Sequence, residues 1–245
     1  MIETLALTKI FTDKKRGPVR ALDAVSFRCE PGQIFGLLGV NGAGKTTCLR
    51  LLATLLEPTS GTAKVAGHDI VTESQKVRAN IGFLTTATAL YGRLTAEEVV
   101  MYFGRLHGME EELLRQRVDH LFDALDMNEF RDRRCDKLST GMKQRVSIAR
   151  TLAHDPPVMI FDEPTNGLDV LSARTVIQFI RDCKARGKTV IYSTHVMSEV
   201  EKLCDRIAVI HGGKILANGA LAELREQAGA QDLDDIFVRL VEAKR

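Results

Sequence analysis

The stretch Ile34-Phe35-Gly36-Leu37-Leu38, followed by Gly39-Val40-Asn41-Gly42-Ala43-Gly44-Lys45-Thr46-Thr47, decides how this chain folds. Its first five residues carry no polar side chain and read as a strand buried on both faces, as in a parallel sheet. Thr47-Cys48-Leu49-Arg50-Leu51-Leu52-Ala53 reads as a helix, so the glycine-rich residues form a strand-to-helix turn. The pattern G-x-x-x-x-G-K-[ST] fits at Gly39, Gly44, Lys45 and Thr46. Gly39, Gly42 and Gly44 let backbone N–H groups converge on an anion, and the helix N-terminus adds roughly half a positive charge. Lys45 would reach the outer phosphates of a nucleotide and Thr46 would ligate Mg²⁺, with Val40, Asn41, Ala43 and Thr47 completing the loop. Glycines alone also suit an ordinary tight turn; Lys45-Thr46 and the flanking pattern separate the two readings.

A second stretch, Pro157-Val158-Met159-Ile160-Phe161-Asp162-Glu163, is an apolar strand ending in adjacent carboxylates. A buried strand has no packing reason to end that way. Asp162 suits the shell of a bound Mg²⁺. By strand alternation Glu163 points elsewhere, and it is the candidate to orient or deprotonate an attacking water. The competing reading is a helix N-cap before Pro164.

Between the two stretches lies Leu138-Ser139-Thr140-Gly141-Met142-Lys143-Gln144-Arg145-Val146, continued by Ser147-Ile148-Ala149-Arg150-Thr151-Leu152. Ser139 and the N–H groups near Gly141 open a helix, which makes a second anion site. This segment resembles the signature motif and following helix of ATP-binding cassette (ABC) proteins, and the resemblance spans roughly residues 1–220. It implies an α/β fold: a P-loop NTPase ABC cassette with a mostly parallel sheet core, an N-terminal antiparallel β subdomain and an inserted helical subdomain. It implies ATP and Mg²⁺ as ligands. It also implies a head-to-tail homodimer in which Ser139, Thr140, Gly141 and Met142 complete the partner's ATP site. In the resembled family Phe11 would stack on adenine, although it also reads as a simple core aromatic. Asn166-Gly167-Leu168-Asp169 looks like the loop that couples the two sites, centred on Asp169. His195, after the strand Thr189-Val190-Ile191-Tyr192-Ser193, looks like the histidine that contacts the γ-phosphate; a lone histidine there also reads as structural.

The chain departs from the family pattern at several positions. Thr85 and Thr86 stand where a metal-touching glutamine is common, and a hydroxyl offers no amide. Thr140 replaces the usual first glycine of the signature, Met142 the usual glutamine, and Val40 a frequent proline. Such departures are familiar in ATPases serving ABC-2-type exporters, and Leu90 to Thr95 with His154-Asp155-Pro156-Pro157 is similar to sodium-extruding (NatA-type) members.

Lys plus Arg number 34 and Asp plus Glu 32 in 245 residues, a net charge of +2 that gives no nucleic-acid footprint. The basic run Lys14-Lys15-Arg16-Gly17-Pro18 reads as a solvated hairpin tip. Five widely spread cysteines, Cys29, Cys48, Cys135, Cys183 and Cys204, lack metal spacing and read as reduced thiols. With no signal peptide and no apolar run of about 18 residues, the chain is expected not to cross a membrane itself.

The expected organisation is an ABC ATPase domain over 1–220, with its helical subdomain at about 87–150, and a short C-terminal helical extension over 221–245. Leu113, Val118, Leu121, Phe122 and Leu125 are expected on the buried face of a helix in that subdomain. Val176, Ile177, Ile180 and Cys183 mark another helix that stops at Gly187. Leu233, Ile236, Phe237, Leu240 and Val241 mark a last one, packed on its own domain or offered to a partner. The functional expectation is the ATPase subunit of an exporter, partnered by an ABC-2-type transmembrane permease at the cytoplasmic face of the cell membrane, and found in the cytoplasm when unassembled. Sodium and drugs are its candidate cargoes. The alternative is a soluble ABC ATPase acting on DNA, ribosomes or cluster assembly.

Overall fold

The computed structural model describes residues 1–13, 17–85 and 89–243. Strands β1 (Ile2–Asp13) and β2 (Gly17–Cys29) pair as an antiparallel hairpin. Strand β3 (Ile34–Leu38) leads through the glycine-rich loop into helix α1 (Lys45–Leu52). Then come β4 (Ser60–Val65), β5 (His68–Asp69), α2 (Ser74–Ala79) and β6 (Ile81–Leu84). Three helices follow, α3 (Ala96–Leu106), α4 (Glu111–Ala124) and α5 (Thr140–Thr151), with 3₁₀ turns at Asn128–Phe130 and Cys135–Lys137. The chain then alternates through β7 (Val158–Asp162), α6 (Val170–Ala185), β8 (Thr189–Thr194), α7 (Met197–Leu203), β9 (Arg206–His211) and β10 (Lys214–Gly219). It closes with α8 (Leu221–Ala228) and α9 (Leu233–Glu242).

Two sheets result. One has the order β2-β1-β4-β5 and is antiparallel. The other has the order β10-β9-β3-β8-β7-β6 and is parallel except where β10 meets β9. Strands β3, β7 and β8 are buried at every position, the consequence of covering a parallel sheet on both faces. An apolar cluster around Phe35, Leu49, Leu51 and Ile191 lies on the α1 side, where Phe27 and Phe35 stack at 4.8 Å. Another cluster continues from Phe161 and Tyr192 into the three-helix lobe at Phe122 and Val146.

The lobe's helices start where their caps dictate. Thr95 Oγ1 accepts from the Glu98 N–H at 3.2 Å while the Glu98 carboxylate accepts from the Thr95 N–H at 2.8 Å, closing a capping box before α3. Val118, Leu121, Phe122 and Leu125 are buried as expected, but Leu113 at the start of α4 is not. Leu113 is 57% exposed, and Leu114 packs against Gly104 of α3 instead, four residues before Val118 on the same helical face. Near the C-terminus, Ile236 and Phe237 of α9 share a core with Val200 of α7 and Val209 of β9, so this chain covers the helix's apolar face itself.

The competing reading of Asp162-Glu163 as a helix cap does not hold. The next helix begins only at Val170, and its cap is Asp169. Thr86 and the lysines and arginine of the basic run, Lys14, Lys15 and Arg16, lie outside the described residues.

Candidate functional site

Sheet order places β8 between β3 and β7, so three adjacent strands end side by side. Leu38 pairs with Thr194, and Asp162 pairs with Ser193. Their carboxyl ends therefore deliver the glycine-rich loop, the Asp162-Glu163 pair and His195 to one edge, the place where open α/β sheets bind ligands.

The loop is held by backbone contacts that tolerate no side chain. A Cβ on Gly39 would lie 2.4 Å from the Ile210 carbonyl. Gly44 caps α1 at φ 110°, and a Cβ there would lie 2.6 Å from the Ala21 carbonyl. Immediately after it, the Lys45 ammonium is folded back into the loop, 5% exposed. It donates to the Gly39 carbonyl at 2.6 Å and the Val40 carbonyl at 3.4 Å, and stands 3.4 Å from Glu163 Oε1.

Thr46 Oγ1 donates to Asp162 Oδ2 at 2.8 Å, and Ser193 Oγ donates to Asp162 Oδ1 at 3.0 Å. Asp162 is 2% exposed, so these two hydroxyls satisfy a carboxylate that burial would otherwise penalise. An oxygen-only pair of this kind, Thr46 and Asp162, fits a small hard cation such as Mg²⁺.

Glu163 stands one residue beyond β7, with its backbone in the left-handed region at φ 50°. For a non-glycine residue that conformation costs about 1–2 kcal/mol. Its N–H donates to the Ser193 carbonyl at 2.9 Å, which holds the turn in place. This turn, rather than strand alternation, decides where the side chain goes. The carboxylate lies between the Lys45 ammonium and His195, whose Nδ1 is 3.0 Å from Oε2. Because a carboxylate accepts and does not donate, Nδ1 carries the proton in this pair.

A cavity of about 160 Å³ is lined by Ala21, Val40, Asn41, Gly42, Gly44, Lys45, Thr46, Thr47 and Glu163. Two participants were not anticipated. Ser193 could have been noticed as a polar residue at the end of an apolar strand, whereas Ala21 arrives from the β1–β2 hairpin with no local signal. Other expected residues are not gathered here. Phe11 sits on β1, 39% exposed, with the Lys9 ammonium 5.3 Å from its ring centre, and does not line this cavity.

Nor do Ser139, Thr140, Gly141 and Met142 line it. Ser139 caps α5 by accepting from the Met142 N–H at 3.3 Å. A Cβ on Gly141 would lie 2.8 Å from Ser172 Oγ and 3.6 Å from Asp169 Oδ2, so the start of α5 lies against the start of α6. Asp169 caps α6 by accepting from the Ser172 and Leu171 N–H groups at 3.0 Å each, and from the Ser172 hydroxyl at 2.7 Å. Those bonds hold its carboxyl below the usual aspartate range. Thr85 lines a separate groove with Phe83, Arg150 and His154.

The cysteines are not candidates for nucleophilic work. Burial pushes the Cys48 thiol up to about 12 and Cys183 up to about 11. Among the described residues no group of three or more His, Cys, Asp or Glu side chains is placed to hold a metal ion, and no helix is long and apolar enough to cross a membrane.

A phosphate chain laid along the loop would meet backbone N–H groups and the Lys45 ammonium, and a water at its end would meet Glu163. That layout is the one shared by P-loop nucleoside triphosphatases. Residues 22–166 match the ABC transporter family. The chain is 43% identical over 239 residues to the ABC transporter ATP-binding protein NatA of Bacillus subtilis (strain 168), covering 97% of each protein. It is 39% identical to the Nod factor export ATP-binding protein I of Paraburkholderia xenovorans (strain LB400), covering 91% of this chain and 74% of that one.

Among solved structures, an ATP binding subunit of an ABC transporter superposes with a TM-score of 0.89 at 28% identity, covering 98% of this chain and 99% of that one. The ATP-binding cassette MJ0796, solved as a dimer in a post-hydrolysis state bound to ADP and Pi, gives 0.81 at 26% identity, covering 90% and 98%. The chain belongs to the ABC transporter family. It is a nucleotide-binding cassette and an ATPase.

Proposed function

We propose that this chain is the ATP-hydrolysing subunit of a membrane exporter, working as a homodimer against an ABC-2-type transmembrane permease at the cytoplasmic face of the cell membrane. The observation that carries this reading is that one chain holds a phosphate loop and a signature-type helix opening that do not meet in one cavity. A head-to-tail pair uses both: Ser139, Thr140, Gly141 and Met142 of each copy would face the nucleotide on the other, with Asp169 coupling the two sites. The dimeric MJ0796 cassette supports the arrangement, and the Nod factor export relative supports the direction of transport. The ATPase domain would span 1–220, with the helical subdomain at about 87–150 and the C-terminal extension at 221–245.

Catalysis on this reading is positioning and charge compensation. The loop N–H groups and Lys45 hold the phosphate oxygens, and Phe11 stacks on adenine. Thr46 and Asp162 would hold Mg²⁺, which neutralises phosphate charge when bound. Glu163 takes a proton from the water whose oxygen bonds to the γ-phosphorus as the bridging bond to ADP breaks, leaving ADP and phosphate. His195 would contact the γ-phosphate through Nε2–H, a donor when both ring nitrogens carry a proton, with Nδ1–H given to Glu163.

Ser193→Ala removes one of the two hydroxyls on the buried Asp162 carboxylate. The half-saturating Mg²⁺ concentration for ATP turnover is expected to rise about five- to tenfold; an unchanged Mg²⁺ titration would mean that the Ser193 hydroxyl does not orient Asp162 for the cation. The exporter assignment is tested by fractionating cells that express the chain with its native neighbours. It should sediment with membranes and become soluble when the permease is deleted, whereas a pool bound to ribosomes or DNA would overturn the reading. Vesicles holding both subunits would then be assayed for ATP-dependent efflux of radioactive sodium, one of the candidate cargoes. An active ATPase without efflux removes sodium.

A further inference from the structure

We propose that Tyr192 and Glu199 are positioning residues for His195: a hydroxyl–carboxylate clamp that fixes the turn carrying the imidazole and ties it to the loop after Glu163. This rests on His195 acting at the γ-phosphate.

Tyr192 lies on β8, fully buried, where a phenol requires a polar partner. Its hydroxyl donates to Glu199 Oε2 at 2.7 Å, in the first turn of α7. Burial and the adjacent Glu199 push the phenol's pKa far above the usual tyrosine range, so it keeps its proton and remains the donor. Thr194 Oγ1 donates to the same carboxylate oxygen at 3.1 Å and accepts from the Val196 N–H at 3.0 Å. His195 is thus flanked on both sides by residues tied through one hydroxyl to Glu199. The Glu199 N–H closes the turn by donating to the Val196 carbonyl at 3.2 Å.

A second arm reaches the other half of the His195–Glu163 contact. Thr165 Oγ1 lies 3.4 Å from the Tyr192 hydroxyl, and because that proton is given to Glu199, Thr165 is the donor. Thr165 stands two residues beyond Glu163, whose carbonyl accepts from the Asn166 N–H at 3.2 Å. One carboxylate outside the phosphate cavity therefore holds both segments whose side chains meet beside the loop. Packing alone does not fix them: His195 is 44% exposed, and Glu163 sits on a left-handed backbone. A phenylalanine at 192 would fill the same core volume, so the hydroxyl is not there for packing.

The test uses the full-length chain and measures ATP turnover, ATP affinity and thermal unfolding separately for Tyr192→Phe, Glu199→Ala, Glu199→Gln and His195→Ala. Tyr192→Phe and Glu199→Ala should each lower turnover about five- to tenfold, the loss of one hydrogen bond's worth of alignment, with ATP affinity within about twofold of wild type. Glu199→Gln keeps an acceptor oxygen and should restore turnover to within about twofold of wild type. Wild-type turnover in Tyr192→Phe and Glu199→Ala beside a crippled His195→Ala overturns the clamp alone. Turnover by Glu199→Gln as low as by Glu199→Ala, or losses explained by a matching fall in ATP affinity, overturns it too. An unimpaired His195→Ala overturns the role of the histidine itself, and the clamp with it.

Discussion

Glu163→Gln is expected to bind ATP at close to wild-type affinity and to hydrolyse it at least about a hundredfold more slowly, the usual effect of losing a general base. The amide matches the carboxylate in volume, so the turn at φ 50° and the packing around it are retained. What disappears is basicity. A second consequence follows from the ion pair. Lys45 stands 3.4 Å from the Glu163 carboxylate, and without that anion the ammonium loses the charged group that competes with the nucleotide phosphates for it. Bound ATP should therefore persist, and size-exclusion chromatography in Mg-ATP should find the variant as a stable dimer where the wild type returns to monomer after turnover. Hydrolysis at the wild-type rate would remove Glu163 from the chemistry.

Lys45→Ala should give the opposite failure. The ammonium is almost wholly buried, and among the described residues no other cation lines the cavity. Charge-assisted hydrogen bonds to phosphate are each worth about 1.5–3 kcal/mol, so ATP affinity should fall roughly ten- to hundredfold. Hydrolysis should drop below detection, and no ATP-dependent dimer should form at concentrations that saturate the wild type. The vacated space leaves the Gly39 carbonyl without its 2.6 Å donor and Glu163 without the ammonium 3.4 Å away. Calorimetric titration with ATP measures the affinity; a change within about threefold, about 0.65 kcal/mol, would mean that the backbone N–H groups and the helix terminus alone hold the phosphates. The pair of variants separates binding from chemistry: one traps the nucleotide, the other fails to hold it.

What could be read from residue order was what depends on short spacing. Gly39 to Thr47 is one continuous cradle, and Asp162-Glu163 announces itself because a buried strand rarely ends in two acids. His195 is singled out by the family resemblance, since a lone histidine after a strand also reads as structural. The contacts that needed register between strands were not legible. Ser193 reaches Asp162 only because β7 and β8 pair at those two positions, and Ala21 approaches Gly44 from a hairpin far away in sequence. Strand alternation predicts that Glu163 points away from Asp162, but a left-handed backbone sets its direction, and residue type does not announce one. In α4, adjacent leucines at 113 and 114 offered two faces, and only the packing of Gly104 chose between them.

The phosphate loop, Asp162-Glu163 and His195 stem from three neighbouring strands, β3, β7 and β8. Their separation is set by main-chain hydrogen bonds at about 4.8 Å per step, a distance that does not vary with side-chain identity. Substitutions in the outer helices therefore leave the spacing of these three strand ends untouched, because the backbone of the sheet and not its covering sets it.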